Sequence, residues 1–153
     1  LLRSVQIAGA LTKARDLAVQ YTCERIAFGK PLNRLQAVQQ NLAIIAGQTA
    51  AANVAADMAL DALAKDSADA ITTIAMAKIR CNSAAEIAGR LAHQAHGAIG
   101  FTHEHQLHHA TRRLWSWRDE FGNDAYWAEI VGKQVLTAGS EQLFPMITKA
   151  AQL

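Results

Sequence analysis

The 153 residues predict an all-α fold, an up-and-down four-helix bundle with an additional C-terminal helix, and three observations lead there. Apolar residues recur at steps of three and four along most of the chain, and no stretch alternates convincingly at period two. The composition is 51% hydrophobic but only 6% aromatic, with Ala, Leu, Ile and Val carrying most of the apolar share, a balance that favours helix. Short breaks at Phe28-Gly29-Lys30-Pro31, Gly97-Ala98-Ile99-Gly100 and Gly122-Asn123-Asp124 punctuate the pattern, so the helices are joined by short loops and neighbours run antiparallel.

The first helix runs from Leu2 to about Glu24, with Ile7, Leu11, Ala14, Ala18 and Tyr21 on one face. Gly29 suits a left-handed backbone and Pro31 cannot continue the hydrogen-bond ladder, so the helix ends there. A long amphipathic helix follows, with Leu35, Val38, Leu42, Ile45, Thr49, Ala52, Ala56, Leu60 and Leu63 forming a nearly heptad seam. Lys65-Asp66-Ser67 breaks it, and Ser67 or Asp66 is expected to cap the third helix. That helix runs to about His96 on Ile71, Ile74, Lys78, Cys81, Ala85, Ala88, Leu91 and Ala95, with Lys78 expected to snorkel to the surface. A fourth helix is expected from about Glu104 to Arg118 on Leu107, Ala110, Leu114 and Trp117. A last one carries Trp127, Ile130, Val131, Gln134, Val135 and Ala138 and is closed by Gly139; the tail around Pro145 is assigned no element.

Length fits one domain over residues 1–153, large enough for a single core without disulfides or metal. Residue 1 is Leu, and the sequence opens directly on a helical pattern, so the chain is expected to be part of a longer one. Fifteen basic and thirteen acidic residues are spread along it except for the pair Arg112-Arg113, which argues against a nucleic-acid or membrane-surface footprint. No apolar run approaches the roughly 20 residues that a membrane span needs. Cys23 and Cys81 form no CxxC pattern, and a reducing cytoplasm is the expected location.

Three segments carry unusual residues near helix breaks. In Arg25-Ile26-Ala27-Phe28-Gly29-Lys30-Pro31-Leu32, followed by Gln36, an Arg in a last helical turn beside an aromatic ring offers a planar fork for phosphate and a stacking surface. The plainer alternative is that Arg25 complements the helix dipole and Phe28 plugs the core. In His93-Gln94-Ala95-His96-Gly97-Ala98-Ile99-Gly100-Phe101, two glycines let backbone approach a ligand and Gln94 can bond it, or they only make a turn. All six histidines fall between His93 and His109, and His105 and His109 have the four-residue spacing of a metal pair. With no H-E-x-x-H motif, no metal is assigned, and a metal-binding bundle stays a minor alternative. Trp115, Trp117 and Trp127 read as core or interface anchors rather than a base-stacking platform. No pair of carboxylates is singled out as acid and base.

Taken jointly, R-x-x-F-G-x-P-L-x-x-x-Q over Arg25 to Gln36 and Q-x-x-G-x-x-G-F over Gln94 to Phe101 resemble the C-terminal domain of the FAD-dependent acyl-CoA dehydrogenases, across nearly the whole chain. The resemblance implies a four-helix bundle packed against an N-terminal helical domain and a middle β domain, with FAD held partly across a subunit interface. It implies that Arg25 contacts the flavin pyrophosphate of a neighbouring subunit, that Phe28 packs against the cofactor with Leu32 and Gln36 beside it, and that Gln94 and the Gly97-Ala98 backbone touch the adenosine-diphosphate half. It also implies α,β-oxidation of an acyl-CoA to the 2-enoyl-CoA in fatty acid metabolism, a homo- or hetero-oligomer (dimer or tetramer) and electron transfer to an electron-transfer flavoprotein.

One departure bears on the chemistry. The family's base is often the Glu of an E-G-T motif, and here Phe121-Gly122-Asn123 stands in that place; Glu120 is adjacent but swung by about 100° if helical. Other members carry the base on the first bundle helix, which by alignment falls just before Leu1. The catalytic residue is therefore not assigned, the chain alone is expected to be inactive, and a non-catalytic assembly subunit of a heteromeric dehydrogenase is the rival reading.

Overall fold

A computed structural model describes residues 1–149. Its helices are α1 (Leu2–Glu24), α2 (Gln36–Ala64), α3 (Ala70–His96), α4 (Leu107–Asp119), α5 (Asp124–Ala138) and α6 (Leu143–Lys149). The expected bundle is there, and α1 has the bounds its periodicity gave. The core lies where α1, α2, α3 and α4 meet. Ile7, Leu11 and Leu17 of α1, Ile45 of α2, Leu91 of α3 and Leu107 and Leu114 of α4 are buried in it among a bed of alanines. Each such side chain contributes about 1.5–3 kcal/mol by leaving water. α5 lies on α3 and buries no residue completely; Thr72 donates to Gln134 Oε1 at 2.7 Å between them. It is the additional helix.

Four expectations need correction. The connection after α1 is a hairpin of two short strands, β1 (Ile26–Ala27) and β2 (Lys30–Pro31), paired Ile26 with Pro31 and Ala27 with Lys30. Strands of two residues leave no period to read. On α2 the seam turns inward at Ala59 and Ala62, leaving Leu60 and Leu63 41% and 52% exposed. On α3 Ala75, Ala77, Ala84 and Ala85 are buried as well, so small residues fill the packed faces of the bundle while the two leucines stay on the flank. Ile71 is likewise 62% exposed while Thr72 and Thr73 go inside. Lys78, expected at the surface, is 2% exposed. Lesser differences are a cap of α3 that uses the Ser67 carbonyl, bonded by Ala70 N at 3.0 Å, and helix α6 around Pro145.

By length and composition α2 is the one helix among the described residues apolar enough to cross a membrane. Its buried stripe instead packs on α1 and α3, and its alanines account for the apolarity.

Candidate functional site

Arg25 terminates α1 in extended backbone, its N–H bonded to Tyr21 O, and the hairpin then reverses the chain through Phe28 and Gly29. Both have positive φ, 54° and 75°, as a two-residue type I′ turn demands. A phenylalanine held there costs about 1–2 kcal/mol, and its ring gains nothing from the core in return, since Phe28 is 89% exposed. Leu32 N closes the hairpin base on Arg25 O at 2.9 Å; Leu32 is half-buried, and Gln36, the first residue of α2, is exposed. Arg25 is exposed and makes no side-chain hydrogen bond or ion pair among the described residues. The idea that Phe28 plugs the core is thus wrong.

α3 ends at Gly97, with φ 64° and ψ −143°, where no atom outside its immediate neighbours would meet an added Cβ within 4 Å. This glycine serves backbone conformation and leaves open space above the peptide. Gly100 differs: it is buried, and a Cβ there would come 2.9 Å from His96 Cβ. Of the two glycines, only Gly97 offers bare backbone to a ligand. Gln94 and Ala98 are exposed beside it. The two segments sit at one end of the bundle, tied by Tyr21 of α1, whose ring stacks on His96 of α3 at 4.6 Å and meets His105 edge-on at 5.8 Å.

The histidines form ring stacks rather than a metal cage. His93 lies between Phe101 at 4.3 Å and Trp115 at 5.3 Å and shares a 2.8 Å hydrogen bond with Thr111 Oγ1. His96 Nδ1 donates to Ala92 O at 2.7 Å, which makes it the Nδ1–H tautomer when neutral. Burial pushes both imidazoles below their ordinary value near 6.5, for His96 against the pull of backbone carbonyls. Among the described residues no group of His, Cys, Asp and Glu is arranged to hold a metal, His105 and His109 included.

At the other end, about 35 Å away along a 23-residue α1, the turn after α4 carries Phe121. It is 77% exposed, with φ 58°, followed by Gly122 at φ 98°. With Leu1, Leu2, Arg3, Leu63, Lys78 and Trp127 it lines a mostly apolar cavity of about 380 Å³. The Arg3 guanidinium lies 5.3 Å above the Trp117 ring and 5.6 Å above that of Phe121, and pairs with Glu120. Ser116 Oγ donates to Glu120 Oε1 at 2.9 Å, and these donors, Ser116 first and Arg3 next, hold the Glu120 carboxyl below the usual range. Glu120 is therefore an engaged carboxylate.

Beneath the turn lies a group that the sequence reading missed. Lys78 Nζ donates to Asn82 Oδ1 at 3.0 Å and to the carbonyls of Trp117, Arg118 and Gly122 at 3.2, 2.7 and 3.1 Å. Asn82 Nδ2 adds bonds to Arg118 O at 3.0 Å and Asp124 Oδ1 at 2.7 Å, and Trp127 Nε1 donates to Phe121 O at 3.0 Å. The signal was present: a lysine inside an apolar stripe, facing a helix end whose last carbonyls need donors.

Residues 1–136 match the family model described as acyl-CoA dehydrogenase, C-terminal domain. The chain is 37% identical over 103 residues to acryloyl-CoA reductase (NADH) of Anaerotignum propionicum, covering 67% of this chain and 26% of that protein. To the acyl-CoA dehydrogenase IpdE2 of Mycolicibacterium smegmatis it is 30% identical over 107 residues, 70% of this chain and 32% of that one. Among solved structures it resembles butyryl-CoA dehydrogenase from Megasphaera elsdenii, with a TM-score of 0.83 and 24% identity over 88% of this chain and 35% of that chain, a likeness of fold. The chain spans about a quarter to a third of the length of these relatives.

Proposed function

The chain belongs to the acyl-CoA dehydrogenase family, whose C-terminal helical domain it forms, and from that premise we propose that it contributes half of an FAD site completed by a neighbouring subunit. The observation that carries the reading is the hairpin end. Arg25, Phe28, Gln94 and Ala98 are exposed, Gly97 leaves open backbone, and the Arg25 side chain makes no hydrogen bond or ion pair among the described residues. Such a set suits a nucleotide: the guanidinium gives paired donors to phosphate oxygens, and the strained Phe28 offers an apolar ring face, with Leu32 and Gln36 beside it. The Gln94 amide and the Gly97-Ala98 backbone then bond the adenosine-diphosphate half.

In the full-length enzyme, bound FAD would supply the hydride acceptor for α,β-oxidation of an acyl-CoA thioester to the 2-enoyl-CoA, with electrons passed on to an electron-transfer flavoprotein. The α proton goes to a carboxylate outside residues 1 to 153, because Phe121 cannot accept it and Glu120 is occupied by Arg3 and Ser116. The free thiols of Cys23 and Cys81 suit a reducing cytoplasm. The reading is tested on the full-length protein by visible flavin absorbance. Arg25→Ala should weaken FAD binding about tenfold or more, the worth of a charge-assisted hydrogen bond; unchanged occupancy would remove Arg25 from the site.

Phe121 favours a second reading, a non-catalytic assembly subunit of a heteromeric dehydrogenase. Turnover of an acyl-CoA by the homogeneous full-length protein would sink it, and turnover appearing only after a second, base-bearing chain is added would favour it.

A further inference from the structure

Phe121 combines three properties that do not arise together by packing alone. Its backbone is left-handed although it has a Cβ, it is 77% exposed, and the turn that carries it is held at the carbonyls of Trp117, Arg118, Phe121 and Gly122. Strain at an exposed side chain persists only where the surroundings over-determine it. Here they do so without touching the ring from inside: Lys78 grips the carbonyls of Trp117, Arg118 and Gly122, Asn82 grips Arg118, and Trp127 grips Phe121 O. Gly122 is confined as well, since a Cβ on it would come 2.5 Å from a Tyr126 ring atom. The outcome is a ring fixed at the wall of an apolar cavity.

We propose that Lys78 is a positioning residue that sets the Phe121 ring as a wall of the cavity, and that Phe121 thereby selects the hydrocarbon portion of the acyl thioester. This rests on the acyl-CoA reading above. The cavity suits such a group: Leu1, Leu2, Leu63, Phe121 and Trp127 supply apolar lining, Arg3, which also lines it, is paired with Glu120, and the Lys78 ammonium beneath has its donors spent on three backbone carbonyls and Asn82 Oδ1.

The test uses the full-length flavoprotein and a series of straight-chain and branched saturated acyl-CoAs, read as the ratio of kcat/KM between bulky and small substrates. Phe121→Ala should change that ratio about tenfold or more, the scale on which a hydrocarbon pocket discriminates. Lys78→Met should move it in the same direction, and the double variant should move it no further. A Lys78→Met protein whose Tm falls while its ratio stays within about twofold of wild type would overturn the proposal and leave Lys78 a merely structural residue. If that variant does not fold, Asn82→Ala removes one hold on the same turn, and an unchanged ratio there overturns the proposal equally. Failure of the acyl-CoA reading is separate: the wild-type protein would turn over no member of the series. The anchor is then read from hydrogen exchange of the Trp127 indole N–H, which Lys78→Met should accelerate about tenfold if the turn is released and leave unchanged if Lys78 holds nothing.

Discussion

The two ends of the bundle hold their unusual residues in opposite ways. At the hairpin end Arg25 and Phe28 project from a short connection and Gln94 from the last turn of α3, and none of the three makes a side-chain hydrogen bond among the described residues. At the Phe121 end the buried Lys78 ammonium and Asn82 amide donate to the carbonyls of Trp117, Arg118 and Gly122 around a single turn, and to the side chains of Asn82 and Asp124. The first arrangement leaves binding capacity for a partner. The second converts it into rigidity. Substitutions at the hairpin end should accordingly change what the protein binds more than whether it folds, with the reverse at Lys78 and Asn82.

The contrast is broken most directly at Lys78. Lys78→Met takes the ammonium donor from the carbonyls of Trp117 and Gly122 and from Asn82 Oδ1, leaves Arg118 O with Asn82 Nδ2 alone, and should cost about 3 kcal/mol or more in urea unfolding; a loss below about 1 kcal/mol would show that the turn holds itself. Next comes Phe28→Gly, which removes a side chain from left-handed backbone without uncovering any core. It should leave stability equal or raise it by about 1 kcal/mol while weakening flavin binding. A marked loss of stability would mean that the ring packs at home after all.

A smaller effect follows from His93 and His96. Their folded-state values lie below the ordinary 6.5, so between the two values the unfolded chain binds more protons and stability rises with pH. The contribution is full above about 6.5 and is lost as pH falls through the folded-state values. Tm should therefore drop on acidification from neutrality, and a His93→Leu, His96→Leu double variant should flatten that slope. Smallest of all, Arg25→Ala should shift unfolding of the flavin-free protein by no more than about 0.5 kcal/mol, the usual range for a surface change. A larger shift would reveal a hidden intrachain partner.

Helix existence was legible because periodicity over twenty or more residues is a strong signal, and α1 followed it from Leu2 to Glu24. Which residues of α2 face inward was less so near its end. Hydrophobicity alone ranks Leu60 and Leu63 above Ala59 and Ala62, whereas close approach of two helices rewards small size. The β1–β2 hairpin is shorter than any period. Of the residues proposed for the cofactor site, Arg25, Phe28 and Gln94 stand out because the two sequence blocks that carry them match a family pattern. For Lys78 the sequence marks only a lysine inside an apolar stripe; what it holds was not legible, because three of its partners are backbone carbonyls 39 to 44 positions away, which leave no mark in side-chain identity.

The turn that carries Phe121 is built like a socket. The bonds that shape it reach its main-chain oxygens, and the Arg3 guanidinium lies 5.6 Å above the ring. The plug can thus be exchanged without rebuilding the housing. A single codon separates a domain that merely shapes a cavity from one that presents a carboxylate into it, and a Phe121→Glu chain should fold as this one does.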